Sequence, residues 1–156
     1  SEDSERFGNI VKPSLKYCNY FIANEIEGGS ITCIAPRTED GTLDRKAMEA
    51  ICEGLMEGGV SELVVIHAPE GGAYRTKDGR HGFVPSLKLP KGYIKGSVGA
   101  GDAFCAGILY ALYQEYPIEE AMVLANAAAA ANLSQPDSIS GQRPVKEILK
   151  LAEQYG

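Results

Sequence analysis

The chain has 156 residues, 44% of them hydrophobic, which suffices for the core of one domain and is too short for two ordinary ones. The formal net charge is −6 and no run of lysine or arginine occurs, which argues against binding to nucleic acid or to an anionic membrane. The composition favours a single domain, residues 1–156, that acts on small molecules.

The cysteines and the apolar segments bear on the compartment. Four cysteines show no C-x-x-C spacing, and most lie within apolar patterns, where a thiol packs as a small hydrophobic group. No stretch reaches the roughly 20 apolar residues of a membrane span. The N-terminus also lacks the basic and then apolar plan of a signal peptide. We therefore expect reduced cysteines and a cytoplasmic protein.

The N-terminal part of the chain changes character after 16 residues. Residues 1–16 are polar and show no sustained hydrophobic period, so we expect a tail or linker. Tyr17 to Ala23 is aromatic and nearly uncharged, which predicts a strand buried on both faces. Asn24 and Glu27 follow at its end, where ligands of parallel α/β sheets collect. Their amide and carboxylate oxygens suit an ion that keeps its waters, and the alternative is a helix N-cap followed by a surface acid.

The middle of the chain contains the pattern strand, helix, strand. Apolar residues recur at helical spacing from Ala47 to Met56, and Gly58-Gly59 follows as a stop signal. Glu62 to His67 reads as a short buried strand, so we expect a parallel crossover connection. The segment from Ala68 to Tyr74 then places glycines at the strand end. Further along, Asp78-Gly79 predicts the tip of a β-hairpin.

A loop of small residues runs from Gly96 into an apolar helical pattern. Three of the four residues from Gly99 to Asp102 have little or no side chain, so an anion can approach their N–H groups closely. The start of a helix favours negative charge as well. Asp102 would repel that anion, which makes sense if it accepts a proton from a group attacking a phosphate. The alternative is that Asp102 caps the helix and the glycines form a turn.

Two common nucleotide motifs do not fit this loop. Phe104 occupies the third glycine position of the dinucleotide fingerprint, and the Gly-Lys-Ser/Thr end of a Walker loop is absent. Three further helical patterns follow. One begins near Asp102 and ends by Pro117, the second begins at Ile118, and the third contains Val145 and Ile148.

The loop Gly96-Ser97-Val98-Gly99-Ala100-Gly101-Asp102-Ala103-Phe104 resembles the second signature of the ribokinase-like (PfkB) carbohydrate kinases, Asp-Thr-x-Gly-Ala-Gly-Asp-x-Phe. Asn24-x-x-Glu27 and a glycine segment after a strand are similar to further family motifs, and the three occur in family order. The resemblance implies the C-terminal half of a ribokinase-like layered α/β fold. It would have a mostly parallel sheet flanked by helices and one β-hairpin, and the half with most sugar-binding residues would be missing.

The resemblance also implies a reaction, the transfer of the γ-phosphoryl group of ATP to a sugar hydroxyl. Asp102 would be the catalytic base, and the anion hole would consist of the N–H groups of Gly99, Ala100, Gly101 and Asp102. Asn24 and Glu27 would position the waters of a Mg²⁺ ion. The residues implied at the nucleotide are Ser97, Gly72, His67 and Asn126. For His67 the alternative is a strand-end histidine bonded to backbone, and for Asn126 it is a surface-facing amide.

The sequence departs from the family at two places. Only Gly72 is kept of the family pattern Thr-x-Gly-x-x-Gly, since His67 and Pro69 occupy the first two positions. Gly96 stands where the family usually has an Asp that helps to hold a monovalent cation, so a potassium requirement does not follow. Two other functions stay open, a catalytically silent module that binds a nucleotide or partner, and a hydride-transfer enzyme. We also expect self-association, because the missing half would leave an unpaired sheet edge.

Overall fold

The computed structural model describes the backbone of residues 2–156 and the side chains of residues 6–156. By their contacts the residues divide into two compact units, one ending at Phe83 and the other spanning Val84–Gly156, where the sequence predicts one domain. The first unit contains α1 (Glu2–Val11), a 3-10 helix (Lys12–Tyr17), β1 (Tyr20–Asn24), α2 (Glu25–Thr32), α3 (Arg45–Glu57), β2 (Leu63–Ala68) and β3 (Gly71–Thr76). β4 (His81–Pro85) crosses the boundary, and the second unit contains α4 (Ala100–Tyr113), α5 (Ile118–Leu133) and α6 (Val145–Tyr155).

The four strands form one mixed sheet in the order β1-β2-β3-β4. β1 and β2 are parallel, as the sequence predicts. The connection between them contains the predicted helix α3 and also α2, which the sequence did not predict. β2 and β3 are antiparallel, so the expectation of a mostly parallel sheet is wrong. Only Pro69 and Glu70 separate these strands, and a parallel pair needs a crossover of about a dozen residues. The predicted hairpin is present, because β3 and β4 flank the turn at Asp78-Gly79.

The first residues are helical, which corrects the expectation of a tail over residues 1–16; Ser1 itself lies outside the described residues. α1 packs on α2 so closely that a Cβ at Gly8 would collide with the carbonyl oxygen of Ser30. Leu15 of the 3-10 helix is 2% exposed and belongs to the core. Pro13 lies in the first turn of that helix, where its missing N–H costs nothing.

The core of the first unit lies between α2, α3 and the sheet. Its fully buried side chains include Ile31, Met48, Ile51, Leu55, Val64 and Ile66. α3 is the amphipathic helix predicted from the spacing of its apolar residues, and it ends at Gly58. β1 is not buried on both faces, which corrects the sequence prediction: it lies at the sheet edge and leaves Tyr20 52% exposed.

The second unit is built on the pairing of α4 with α5, and α6 packs on α5. Gly107 lets the two helices approach, since a Cβ there would lie 2.8 Å from the Cα of Ala125. The small side chains of Ala127 to Ala131 serve the same packing, and Phe104 and Ile108 fill the interface with buried apolar area. Among the described helices, none is both long and apolar enough to cross a membrane.

Candidate active site

The start of α4 leaves backbone N–H groups free. Gly99 is the N-cap residue, with φ +79 and ψ 0, a left-handed conformation that glycine adopts without strain. The helix closes its first hydrogen bond between the N–H of Ala103 and the carbonyl of Gly99, at 2.9 Å. Gly101 and Asp102 lie in the first turn, where a helix offers no internal acceptor. Over the described part of the chain, neither N–H has a hydrogen-bond partner.

Ser97 and Ala100 complete this turn. The N–H of Ala100 donates to the carbonyl of Ser97 at 3.3 Å, a long bond that would have to open before Ala100 could join an anion hole. Ser97 is exposed beside the same turn. Among the described residues, the N–H groups of this turn without a partner are those of Gly99, Gly101 and Asp102, and the last two lie within the helix itself.

Asp102 is exposed and is the third residue of α4. The alternative in which Asp102 caps the helix is wrong, because Gly99 is the N-cap residue and no side chain caps this end. Among the described residues its carboxylate has no hydrogen-bond or ion-pair partner. Cys105 lies one turn further along. Burial raises the pKa of its thiol, and the negative charge of Asp102 raises it further. The structure thus places a carboxylate with no protein partner beside two free N–H groups.

The loop before α4 is held in place by contacts of Asn132 and Ser138, two residues that sequence reasoning did not single out. Asn132, which is fully buried in α5, donates its Nδ2 to the carbonyl of Val98 at 2.7 Å. The Oδ1 of Asn132 accepts from Nε2 of Gln142 at 3.4 Å. The segment after α5 packs directly on the loop, since a Cβ at Gly99 would lie 2.7 Å from the Cβ of Ser138. The signal in the sequence was an amide at the end of an alanine-rich helix.

Asn126 lies in α5 and is 5% exposed, so the alternative of a surface-facing amide is wrong. Its Nδ2 donates to the carbonyls of Val84 and Pro85 at 3.3 and 3.1 Å. These bonds tie α5 to the end of β4. The contact of Asn126 with a nucleotide stays a prediction, and its N–H groups are already engaged.

In the first unit, three predicted site residues lie in one row across the sheet. Asn24 of β1 is the register partner of His67 in β2, and His67 is the partner of Gly72 in β3. Each had been singled out from a different segment of the chain. The pairing of the strands brings their backbones together at the end of β1 and β2 where ligands of parallel strands collect.

Asn24 and Glu27 form a capping box at the start of α2. The N–H of Glu27 donates to Oδ1 of Asn24 at 2.8 Å, and the N–H of Asn24 donates to Oε2 of Glu27 at 3.1 Å. The N-cap is therefore confirmed, and the exposed Glu27 still has Oε1 outside the box. No group of three His, Cys, Asp or Glu side chains in the described residues could ligate a metal directly. Oε1 of Glu27 is a hard oxygen ligand of the kind that an ion with most of its waters, such as Mg²⁺, accepts.

His67 is partly buried, and this burial lowers the pKa of its imidazole, while the charges of Glu25 and Glu27 oppose the shift. The ring is accordingly neutral at pH 7, and its contact with a nucleotide stays a prediction. Of these two acids, sequence reasoning identified Glu27 and missed Glu25. Glu25 and Glu70 are joined by Arg37 in an ionic cluster next to the row, and no periodicity connects these three residues in the sequence.

Comparison with known proteins identifies the family to which the chain is similar. The sequence matches the description "pfkB family carbohydrate kinase" over residues 10–145. It is similar to a 1-phosphofructokinase of Bacillus subtilis, with 29% identity over 78% of this chain and 35% of that protein. It is also similar to a 5-dehydro-2-deoxygluconokinase of Geobacillus kaustophilus, with 31% identity over 60% of this chain and 27% of that protein. The chain thus spans about a third of the length of these curated relatives.

The fold is similar to that of solved ribokinases. The Arabidopsis thaliana ribokinase complexed with ribose and ATP superposes with a TM-score of 0.73 and 22% identity, over 91% of this chain and 43% of that one. A likeness at this identity shows the fold, and the match over residues 10–145 shows the family. The chain belongs to the pfkB family of carbohydrate kinases.

Proposed function

We propose that the protein containing this chain transfers the γ-phosphoryl group of ATP to a hydroxyl of a sugar, and that this chain carries the catalytic base and the phosphate-binding turn. The single observation that carries the proposal is Asp102, an exposed carboxylate that has no partner among the described residues and lies in the same first turn as the free N–H groups of Gly101 and of Asp102 itself.

In the reaction, Asp102 accepts the proton of the sugar hydroxyl as that oxygen attacks the γ-phosphorus. The new bond joins the sugar oxygen to phosphorus, and the bond from phosphorus to the β–γ bridging oxygen breaks, so ADP leaves. The N–H groups of Gly101 and Asp102 stabilise the negative charge of the phosphoryl group during transfer. Because these donors belong to a packed backbone turn, they need no reorganisation.

The nucleotide end of the proposal rests on the first unit. Asn24 and Glu27 would hold the waters of a Mg²⁺ ion, whose charge neutralises the triphosphate when it is bound. His67 and Gly72 share a row with Asn24, and they would line the nucleotide. ATP as the phosphoryl donor is supported by the fold shared with a ribokinase that was solved with ATP.

The test is Asp102→Asn in the complete protein that contains this chain. An amide of the same shape cannot accept the proton, so we expect turnover to fall by about a hundredfold or more while ATP affinity stays within a few-fold. Asp78→Asn, at the exposed hairpin tip, is the matched control and should keep full turnover. Near-normal turnover of Asp102→Asn would contradict the role of the base. A wild-type protein that binds ATP and phosphorylates no sugar would support the silent module instead.

A further inference from the structure

Arg37 joins three segments of the first unit. It lies in the connection between α2 and α3, and its Nη2 is 2.9 Å from Oε1 of Glu25 in the first turn of α2. Its Nη1 and Nη2 lie 2.6 and 3.0 Å from the two carboxylate oxygens of Glu70, in the turn between β2 and β3. Nη1 also donates to the carbonyl of Gly41 at 3.1 Å, which fixes the guanidinium to its own loop. We call these three side chains, Glu25, Arg37 and Glu70, the Arg37 cluster.

The Arg37 cluster brackets the row of Asn24, His67 and Gly72. Glu25 follows Asn24 directly in the chain, and Glu70 precedes Gly72 by two residues. A shift of the β2–β3 turn would therefore move the backbone of Gly72, and a shift of the α2 start would move the capping box.

The contacts of Arg37 indicate that it fixes the relative positions of Glu25 and Glu70. Two parallel N–H···O bonds between one guanidinium and one carboxylate fix distance and angle together, which a lysine ammonium cannot do. Glu25 is 8% exposed, and a carboxylate buried this far requires a cationic partner. The two carboxylates raise the pKa of Arg37, so its charge is permanent. Since the N–H groups of Nη1 and Nη2 are taken up by protein oxygens, these two nitrogens are not free to bind phosphate in this conformation.

We propose that Arg37 is a positioning residue for the nucleotide: it ties the β2–β3 turn to the start of α2, and so keeps Gly72 and His67 in place relative to Asn24 and Glu27. This inference rests on the function proposed above, because it takes that row to be the nucleotide end of the site. The two carboxylates come from separate segments, and their joint attachment to Arg37 adds a side-chain link to the strand pairing that already connects these segments.

The test compares Arg37→Met, Arg37→Lys and Glu70→Gln with Arg80→Met in the complete protein. Arg80 is the matched control, because it pairs with Asp78 at the opposite end of β3 and is exposed. We expect Arg37→Met to raise the KM for MgATP about tenfold, the scale found when the support of a ligating group is removed. The KM for the sugar should not change. Arg37→Lys should raise the KM for MgATP less than Arg37→Met does, and Arg80→Met should leave it unchanged.

Amide hydrogen exchange of the nucleotide-free protein provides a readout that needs no activity. Amide exchange at residues 24–27 and 70–72 should become faster in Arg37→Met, with the remainder of the sheet unchanged. Glu70→Gln leaves the buried pair of Glu25 and Arg37 intact and should accelerate exchange at residues 70–72 alone. It carries the test if Arg37→Met does not fold.

The outcomes separate the two proposals. A wild-type protein without phosphoryl transfer would overturn the proposed function, and exchange would still measure the coupling by Arg37. An active wild-type protein whose Arg37→Met and Glu70→Gln variants keep both the KM for MgATP and local exchange would overturn the positioning role. An equal rise of the KM for MgATP and the KM for the sugar, with faster amide exchange throughout the first unit, would overturn the positioning role as well. Arg37 would then act only by stabilising the fold.

Discussion

Gly99 combines two constraints at one residue. Its φ of +79 disfavours any L side chain, and a Cβ there would also lie 2.7 Å from the side chain of Ser138. Gly92 has nearly the same backbone angle, φ +82, and open space around it. Substitution of Gly92 therefore measures the cost of a side chain in the left-handed conformation alone, and substitution of Gly99 measures that cost together with the collision with Ser138.

We predict that Gly92→Ala costs roughly 1 kcal/mol of stability, the scale of placing alanine in the left-handed region. Gly99→Ala should cost more and should also lower turnover, because relief of the collision moves the turn that carries the free N–H groups. Urea unfolding and steady-state kinetics of both variants provide the comparison. Equal effects of the two substitutions would show that Ser138 yields easily and that the turn does not depend on this contact.

Gly96 also bears on a cofactor. A Cβ at Gly96 would lie 2.8 Å from the carbonyl oxygen of Pro136 and 2.9 Å from its Cα, so backbone fills the space where an aspartate side chain would begin. The family acid that helps to hold a monovalent cation therefore does not fit here in this conformation.

We predict that the complete protein is as active in a buffer with tetramethylammonium as the sole monovalent cation as it is in potassium. Its thermal unfolding should likewise not respond to potassium. Gly96→Asp should be destabilising and should not create a potassium response. A clear rise of activity with potassium, saturating at millimolar concentrations, would contradict this reading of the contact between Gly96 and Pro136.

At the scale of elements, the 3-10 helix before β1 contributes to the core. Leu15 is 2% exposed, and its Cδ1 would lie 2.8 Å from a Cβ placed on Gly58 at the end of α3. Ile10, in the preceding helix, is 67% exposed. Leu15 and Ile10 are aliphatic residues of similar size and lie close together in the chain, but Leu15 is buried and Ile10 is exposed.

We predict that Leu15→Ala lowers the free energy of unfolding by about 2–5 kcal/mol, the range for truncating a buried leucine. Ile10→Ala should change it by less than about 0.5 kcal/mol, as is usual at the surface. Urea unfolding followed by circular dichroism measures both. A Leu15→Ala variant as stable as the wild type would show that residues 12–17 contribute no packing energy.

At the scale of the whole molecule, the greater length of the curated relatives bears on whether this chain can be active alone. The chain covers 35% and 27% of them, and phosphoryl transfer depends on holding the hydroxyl in line with the phosphate. β1 is the edge of the described sheet, and its outer side has no neighbouring strand among the described residues. An open edge of this kind is a template for pairing with another chain.

We predict that these 156 residues alone phosphorylate no sugar and that they self-associate as their concentration rises. ADP release across a panel of sugars and light scattering after size-exclusion chromatography measure the two effects, with the complete protein as the control. The donors of Gly101 and Asp102 are local, so weak phosphate binding should persist. Sugar-dependent ADP release by the chain alone would contradict the prediction.

Local sequence patterns predicted the elements with strong periodicity and singled out the loop of small residues before α4. α3, the hairpin, the parallel pair of β1 and β2 and the three C-terminal helices were predicted, because their hydrophobic periods and turn residues are local signals. The likeness of residues 96–104 to a family signature identified the carbohydrate kinases, and the match over residues 10–145 confirmed it. Local chemistry also singled out Asn24, Glu27 and Asp102; the capping role of the first two is confirmed, and the catalytic and magnesium-binding roles stay predictions.

Tertiary structure alone decided which of these residues support one another. Residues 1–16 look irregular in sequence and are helical because α1 packs on α2 and Leu15 enters the core. The sheet is mixed because the turn at Pro69-Glu70 is too short for a crossover. The row of Asn24, His67 and Gly72 and the cluster around Arg37 depend on strand register and on contacts between distant segments, and neither has a sequence period from which it could be predicted.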